Sequence, residues 1–364
     1  MTKKEQARKR TLEEILGFAE ILNHLLVCLP TGYGKTFIAL SVVERHLNDG
    51  RFLFVVPEIT LIENTKTDMI KNGFEHLIKH VEFICYASLP KYKDQYFDVV
   101  ILDECHRSVS DLRSDIVKSL TCNKMIALSA TVSEEVREVL DEIVDWHEYK
   151  KTLKDAIEEG VLSEPEIRYR FLELDDTIRR NKFKFKDKEV LLTDRAYYDN
   201  LSTSITYWRE RFQNTNEPFA ANKMKNLGAQ RKRFLADCKD DLAREIIKEI
   251  GQERFICFCG SVAQARRLGK NVCSSAKSKK DNQELIDKFN NFEINNLFAV
   301  DKLKEGTNLE STDYGICVQL GNAEREFIQM LGRTLRSDNP VFYLIWVKNT
   351  VDDRFFKNST KQLQ

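Results

Sequence analysis

An α/β fold of two tandem parallel-sheet units, with a mostly helical insertion between them, is what this sequence predicts, and three observations predict it. Short continuous apolar runs alternate with amphipathic stretches through the first 150 residues. The same rhythm returns in the last third of the chain. The first apolar run opens straight into a glycine-rich turn followed by a helical pattern. Apolar runs too short for helices read as parallel strands buried on both faces, and the amphipathic stretches between them as crossover helices.

Residues 1–150 form the first unit, with strands expected at His24–Leu29, Phe52–Val56, Val81–Tyr86, Val99–Leu102 and Met125–Leu128. Residues 151–175 carry the crossover and the first strand of the second unit, since Ile167–Leu174 alternates in the manner of a strand. The pattern changes across 176–243, which is rich in Lys, Arg, Asp and Asn. Its scattered aromatics are Phe183, Phe185, Tyr197, Tyr198, Tyr207, Trp208 and Phe212, and it reads as a mostly helical insertion. Residues 244–364 complete the second unit, with strands expected at Phe255–Cys259, Leu297–Val300, Gly315–Leu320 and Phe342–Val347.

Composition bounds the function. A chain of 364 residues, 42% hydrophobic and 31% charged, has the balance of a globular protein and room for two cores. No run approaches the roughly 20 apolar residues of a membrane span, and Met1–Arg10 is too basic and polar for a signal peptide, so a soluble protein of the cytoplasm is expected. Nine cysteines, with Cys28, Cys85, Cys257 and Cys317 inside apolar runs, read as reduced buried thiols; Cys257 and Cys259 are spaced poorly for zinc. A formal net charge of zero argues neither for nor against a polyanionic partner.

The chemistry starts at Pro30-Thr31-Gly32-Tyr33-Gly34-Lys35-Thr36, between the first strand and a helix. Glycines let backbone N–H groups converge on phosphate oxygens, and a helix N-terminus favours negative charge. Lys35 would reach the β- and γ-phosphates of a nucleoside triphosphate, and the Thr36 hydroxyl would take one position on Mg²⁺. Leu29 stands where the strict phosphate-loop pattern has a glycine. An ordinary glycine-rich turn followed by Lys-Thr is the plainer alternative. About 70 residues on, the run Phe97–Leu102 ends in Asp103-Glu104-Cys105-His106. Carboxylates at the end of a buried parallel strand sit on the ligand-binding edge of the sheet and point opposite ways. Asp103 would then hold Mg²⁺ and Glu104 would orient and deprotonate water; a solvated acidic turn is the alternative.

These segments, together with five more, resemble the superfamily 2 helicases, the large group that includes the DEAD-box and DEAH-box proteins. The other five are Pro57-Glu58-Ile59-Thr60-Leu61, Ser129-Ala130-Thr131, Phe258-Cys259-Gly260-Ser261, Asp301–Asn308 and Gln329–Arg336. Their order is the family's, here in an Asp-Glu-Cys-His variant, and Thr152–Gly160 resembles the crossover of restriction-translocase and phage-type members. The resemblance implies two RecA-like P-loop domains that hydrolyse ATP between them. It implies that Arg333 and Arg336, three apart and so on one helical face, are arginine fingers delivered across the cleft to the γ-phosphate, with Gln329 contacting that phosphate or the water. Gly306 and Asn308 would lie by the nucleotide, although many relatives have an acidic ribose ligand at the Asn308 position. Ser129, Ala130 and Thr131 would relay the nucleotide state. Gln6, 29 residues before Lys35, would read the adenine edge.

Thr60, Ser88, Ser261 and Asp301 resemble the family's nucleic-acid-facing positions, whose hydroxyl and backbone donors grip phosphates without reading bases; Thr60 and Ser88 could equally cap helices. Arg231-Lys232-Arg233-Phe234 and Lys182–Lys188 of the insertion are either an extra basic grip or a solvated face. The expected function is an ATP- and Mg²⁺-dependent helicase or translocase on nucleic acid, DNA before RNA, acting as a monomer or within a complex, in the host cytoplasm if phage-encoded. The alternatives are a nucleic-acid-binding scaffold and a nucleotide switch for protein partners, neither with motor activity.

Overall fold

The computed structural model of this protein describes residues 1–46, 50–185, 188–300, 309, 312–319, 321, 327, 330–332 and 337–360. The chain opens on helix α1 (Lys3–Ile21), started by a capping box in which the Thr2 hydroxyl accepts from the Glu5 N–H and the Glu5 carboxylate accepts from the Thr2 N–H. Six strands follow: β1 (His24–Cys28), β2 (Phe52–Val56), β3 (Val81–Cys85), β4 (Tyr96–Leu102), β5 (Thr121–Ser129) and β6 (His147–Lys150). They form one parallel sheet in the order β3-β2-β4-β5-β1-β6. Helices α2 (Lys35–Arg45), α3 (Thr60–Lys71), α4 (Asp111–Ser119) and α5 (Glu134–Asp141) are among its connections. All five residues of β2 are buried, as a central parallel strand covered on both faces requires. β6 was not anticipated, because His-Glu-Tyr-Lys on an exposed sheet edge carries no apolar run.

The short helix α6 (Leu153–Glu158) leads through residues 160–165 to β7 (Glu166–Leu172), the edge strand of a second parallel sheet. With β10 (Phe255–Phe258), β11 (Val272–Ser274), β12 (Asn296–Val300), β13 (Tyr314–Cys317) and β14 (Val341–Val347) that sheet runs β11-β12-β10-β13-β14-β7. Two α/β domains of RecA-like type are therefore present. Helices α9 (Asp240–Ile250), α10 (Val262–Leu268), α11 (Lys279–Asn290) and α12 (Val351–Ser359) belong to this half.

The 176–243 segment begins with an antiparallel hairpin, β8 (Asn181–Phe185) with β9 (Lys188–Leu192), before the paired helices α7 (Asp194–Thr215) and α8 (Pro218–Asp237). Its aromatics divide: Tyr198 is buried, whereas Tyr207, farther along α7, is 56% exposed. A fully buried ion pair, Lys239 Nζ to Asp352 Oδ2 at 2.6 Å, fastens the end of this insertion to α12. Lys239 also donates to the Val318 carbonyl at 2.9 Å, and Tyr198 Oη accepts from the Val351 N–H at 2.7 Å. Among the described residues no helix is long and apolar enough to cross a membrane.

Candidate active site

Parallel strands bring their C-terminal ends to one edge, and in the first sheet β4, β5 and β1 are neighbours. The acidic pair after β4, the Ser-Ala-Thr segment at the end of β5 and the glycine-rich loop after β1 therefore line the same edge, with neighbouring strands spaced about 4.8 Å apart. The Leu29 N–H donates to the Ser129 carbonyl at 3.0 Å, which stitches two of these segments together.

Gly32 (φ 89°) and Gly34 (φ 106°) both adopt the left-handed backbone that side chains disfavour, and they turn the loop from β1 into α2. Gly34 is the N-cap of α2 and supplies no side-chain cap. No side chain of the cap residue takes the first N–H groups of that helix, the arrangement in which a helix N-terminus can hold an anion. The Lys35 ammonium reaches back across the loop to the Leu29 carbonyl at 3.0 Å. Thr36 is half-buried beside it. Tyr33 differs from the rest of the loop. Its ring is 1% exposed, its N–H donates to the Pro30 carbonyl, and its phenol is held by Thr11 and Glu159, so the side chain belongs to the core beneath the loop.

Asp103 continues the line of β4, its N–H donating to the Val55 carbonyl at 2.9 Å and its Oδ1 accepting from the Glu104 N–H at 3.1 Å. Glu104 has φ 48° and ψ 57°, an uncommon conformation for a residue with a side chain, and strain of this kind gathers at functional sites. The Glu104 carboxylate lies 3.5 Å from His106 Nδ1, both side chains largely buried. The buried Tyr86 phenol donates to the Asp103 carbonyl at 3.0 Å and holds the turn from below. Burial pushes the Cys28 thiol up to about 12 and raises Cys105 well above the usual range, so both stay protonated at neutral pH. Ser129 is buried with its hydroxyl on the Thr131 carbonyl at 2.8 Å.

The second domain reaches this edge through Gly332. A Cβ placed on Gly332 would stand 2.8 Å from Thr31 Cβ, so the backbone there packs directly on the glycine-rich loop. Asp301, Gly306, Asn308, Gln329, Arg333 and Arg336 lie outside the described residues. Thr36 and Asp103 offer hydroxyl and carboxylate oxygens beside the loop, the hard donors Mg²⁺ takes while keeping several waters. Among the described residues no cluster of three or more His, Cys, Asp or Glu forms a metal cage.

The expected strand-facing residues stand after other strands. Thr60 begins α3, after β2, with its side chain outside the description; Ser88 follows β3 with Oγ 3.6 Å from Cys85 Sγ. Ser261 is the N-cap of α10, its hydroxyl accepting from the Gln264 N–H at 3.1 Å, the structural role that a helix-starting serine often has. Gln6 is exposed on α1, with its amide 3.5 Å from the Met1 carbonyl. Two contacts went unforeseen: Arg8 donates to the Gly32 carbonyl at 2.7 Å, and Glu159 of the crossover reaches the Tyr33 phenol at 2.8 Å. No local pattern signals either, since both depend on how α1 and α6 pack against the loop.

Residues 2–86 and 77–134 match the family of the type III restriction enzyme res subunit, and residues 238–338 match the helicase conserved C-terminal domain. Among curated proteins, the chain is 24% identical to the DNA 3′-5′ translocase XPB2 of Sulfurisphaera tokodaii, across 90% of this chain and 79% of that protein. It is also 24% identical to a type I restriction enzyme EcoAI endonuclease subunit of Escherichia coli, across 43% of this chain and 22% of that one.

Proposed function

This chain belongs to the superfamily 2 helicases, and from that premise we propose that it is a motor coupling ATP hydrolysis between its two domains to movement along DNA. One observation carries the proposal: the glycine-rich loop presents an uncapped helix N-terminus and Lys35 on one side and is packed by Gly332 of the other domain. A triphosphate bound there lies at a seam between domains. Its terminal phosphate can therefore hold them together.

In this reading Lys35 leaves the Leu29 carbonyl for the β- and γ-phosphates, while the N–H groups of α2 bind their oxygens. Thr36 and Asp103 would hold Mg²⁺, which when bound neutralises charge on those oxygens. Glu104, beside His106 in a strained turn, orients the attacking water and takes its proton. Arg333 and Arg336, the covalent continuation of Gly332, stabilise the charge that builds on the γ-phosphate. Hydrolysis removes the bridge and the domains part, and Ser129–Thr131, hydrogen-bonded to the start of the loop, carries the change across the sheet. The segments that follow β2, β3 and β12 in the chain, bearing Thr60, Ser88 and Asp301, hold the sugar-phosphate backbone with little regard to sequence, while the Ser261 hydroxyl stays the cap of α10.

DNA is favoured because the two relatives are, by name, a DNA translocase and a restriction endonuclease subunit. The test is ATPase with single-stranded DNA or RNA, together with displacement of duplexes bearing a 3′ or a 5′ overhang. Stimulation by DNA above RNA, and displacement from the 3′ overhang, are expected; no stimulation by either nucleic acid sinks the motor.

A further inference from the structure

We propose that Glu159 is a positioning residue that ties the phosphate loop to the hinge between the two domains. The inference deepens the ATP-driven reading above and rests on it. The Tyr33 phenol, beneath the loop, lies 2.8 Å from Glu159 Oε2, to which it donates, and 2.8 Å from Thr11 Oγ1, whose hydroxyl is then the donor to it. The other Glu159 oxygen accepts from Lys151 Nζ at 2.5 Å and from Arg10 Nη2 at 2.8 Å. Burial works against this carboxylate, but the hydrogen bonds from Lys151 and Tyr33 outweigh it and hold its pKa below the usual glutamate value.

The position of Glu159 makes this cluster more than a local hydrogen-bond network. It is the C-cap of α6, followed by Gly160 with φ 73° and then by the short passage to β7, the first strand of the second domain. Glu159 thus anchors the end of the first domain directly before the passage that serves as the hinge. Tyr33 is the central residue of the loop, between the two left-handed glycines, so any reshaping of the loop around phosphates moves its ring.

A phenylalanine at position 33 would fill the same core without a polar tip. A phenol and a threonine hydroxyl in this interior, with a partly buried carboxylate at its edge, must instead be satisfied together, because the buried groups lose their desolvation energy if left alone. A relative displacement of about 1 Å takes the Tyr33–Glu159 pair out of hydrogen-bond range. Loop and hinge therefore move as one body or the contact breaks. When nucleotide draws Lys35 forward, the strain reaches residue 159 through the phenol and changes the conformational freedom of residues 160–165.

Backbone hydrogen exchange of the full chain, with and without a non-hydrolysable ATP analogue and Mg²⁺, tests this in wild type, Glu159→Gln and Glu159→Ala. In wild type the analogue slows exchange both in the loop and in residues 160–165. In Glu159→Ala the loop remains protected while the hinge response falls about threefold to tenfold, the size of ordinary coupling between sites. Glu159→Gln, which keeps an acceptor for the phenol, falls between the two and carries the test if the alanine variant does not fold. In that variant the nucleic-acid-stimulated kcat drops while the KM for ATP changes less than about twofold, a split a merely destabilised protein does not show. A wild-type hinge response in both variants, or protection confined to the loop in wild type, overturns the inference. A wild-type loop that the analogue does not protect overturns the nucleotide reading itself, and the inference with it.

Discussion

The turn after β1 and the turn after β10 each lead from a buried parallel strand into a helix, yet they treat that helix oppositely. After β10, Ser261 caps α10 with its hydroxyl, and the Gly260 N–H donates to the Gln264 side chain at 2.8 Å. Gly260 has no space for a Cβ, which would stand 2.7 Å from the Ala236 Cβ. This turn is closed by its own side chains. After β1, Gly34 caps nothing, and open space surrounds the place where its Cβ would be. The same strand-turn-helix plan gives a sealed joint in one domain and an open helix N-terminus in the other, where we propose that phosphates bind, and the choice is made by which residue precedes the helix.

Replacing Lys35 with alanine gives the largest effect expected. ATPase kcat/KM falls about 100-fold or more, the scale of removing a charged contact to a transition state. The thermal midpoint stays in place, because among the described residues the ammonium's hydrogen bond is a single one, to the Leu29 carbonyl. Retained motor activity in this variant, read by strand displacement, would mean that the open turn is not the nucleotide cradle and the contrast has no function.

Gly332→Ala comes next. The new methyl meets Thr31, so the domains cannot seat fully and the ATPase rate falls about tenfold through misplacement of the reacting groups, with nucleotide still bound. Fluorescent-nucleotide binding alongside turnover separates the two; loss of both together would place Gly332 in binding rather than closure.

Ser261→Ala should cost about 1 kcal/mol of stability, as loss of an N-cap does, and lower the denaturation midpoint with activity otherwise preserved. If instead nucleic-acid stimulation disappears at an unchanged midpoint, Ser261 touches the strand and the second turn is less sealed than its geometry says.

The smallest effect is in pH. The Glu159 pKa is depressed below 4.5, so its contribution is fully present above that value and is lost as pH falls through it and through the depressed folded value. The gap in urea midpoint between wild type and Glu159→Gln is therefore widest near neutrality and narrows on acidification. A gap independent of pH would show that the carboxylate's charge does not matter.

Much of this was legible in the residues. The central strands were readable because a parallel strand covered on both faces must be apolar throughout, as in Phe52–Val56. Edge strand β6 and the three-residue β11 were not, since an exposed or very short strand leaves no run. The hairpin β8–β9 escaped for a related reason: Val190 and Leu191 are exposed, so its pattern follows no core. Within the candidate site, Gly32, Gly34, Lys35, Asp103 and Glu104 could be singled out from the sequence because the chemistry proposed for them depends on spacing along the chain. Tyr33 was grouped with them by adjacency, and only the fold shows its ring turned inward.

By itself the sequence determined the family, the two parallel sheets and the residues available for phosphate chemistry, because these follow from local spacing and from alternation between buried strands and helices. The tertiary structure alone decided that Gly332 meets Thr31, that Lys239 is neutralised by Asp352, and that Glu159 holds Tyr33. Those partners are separated by more than a hundred residues. Their contacts arise from the way helices and domains pack, and the chain's local chemistry carries no record of them.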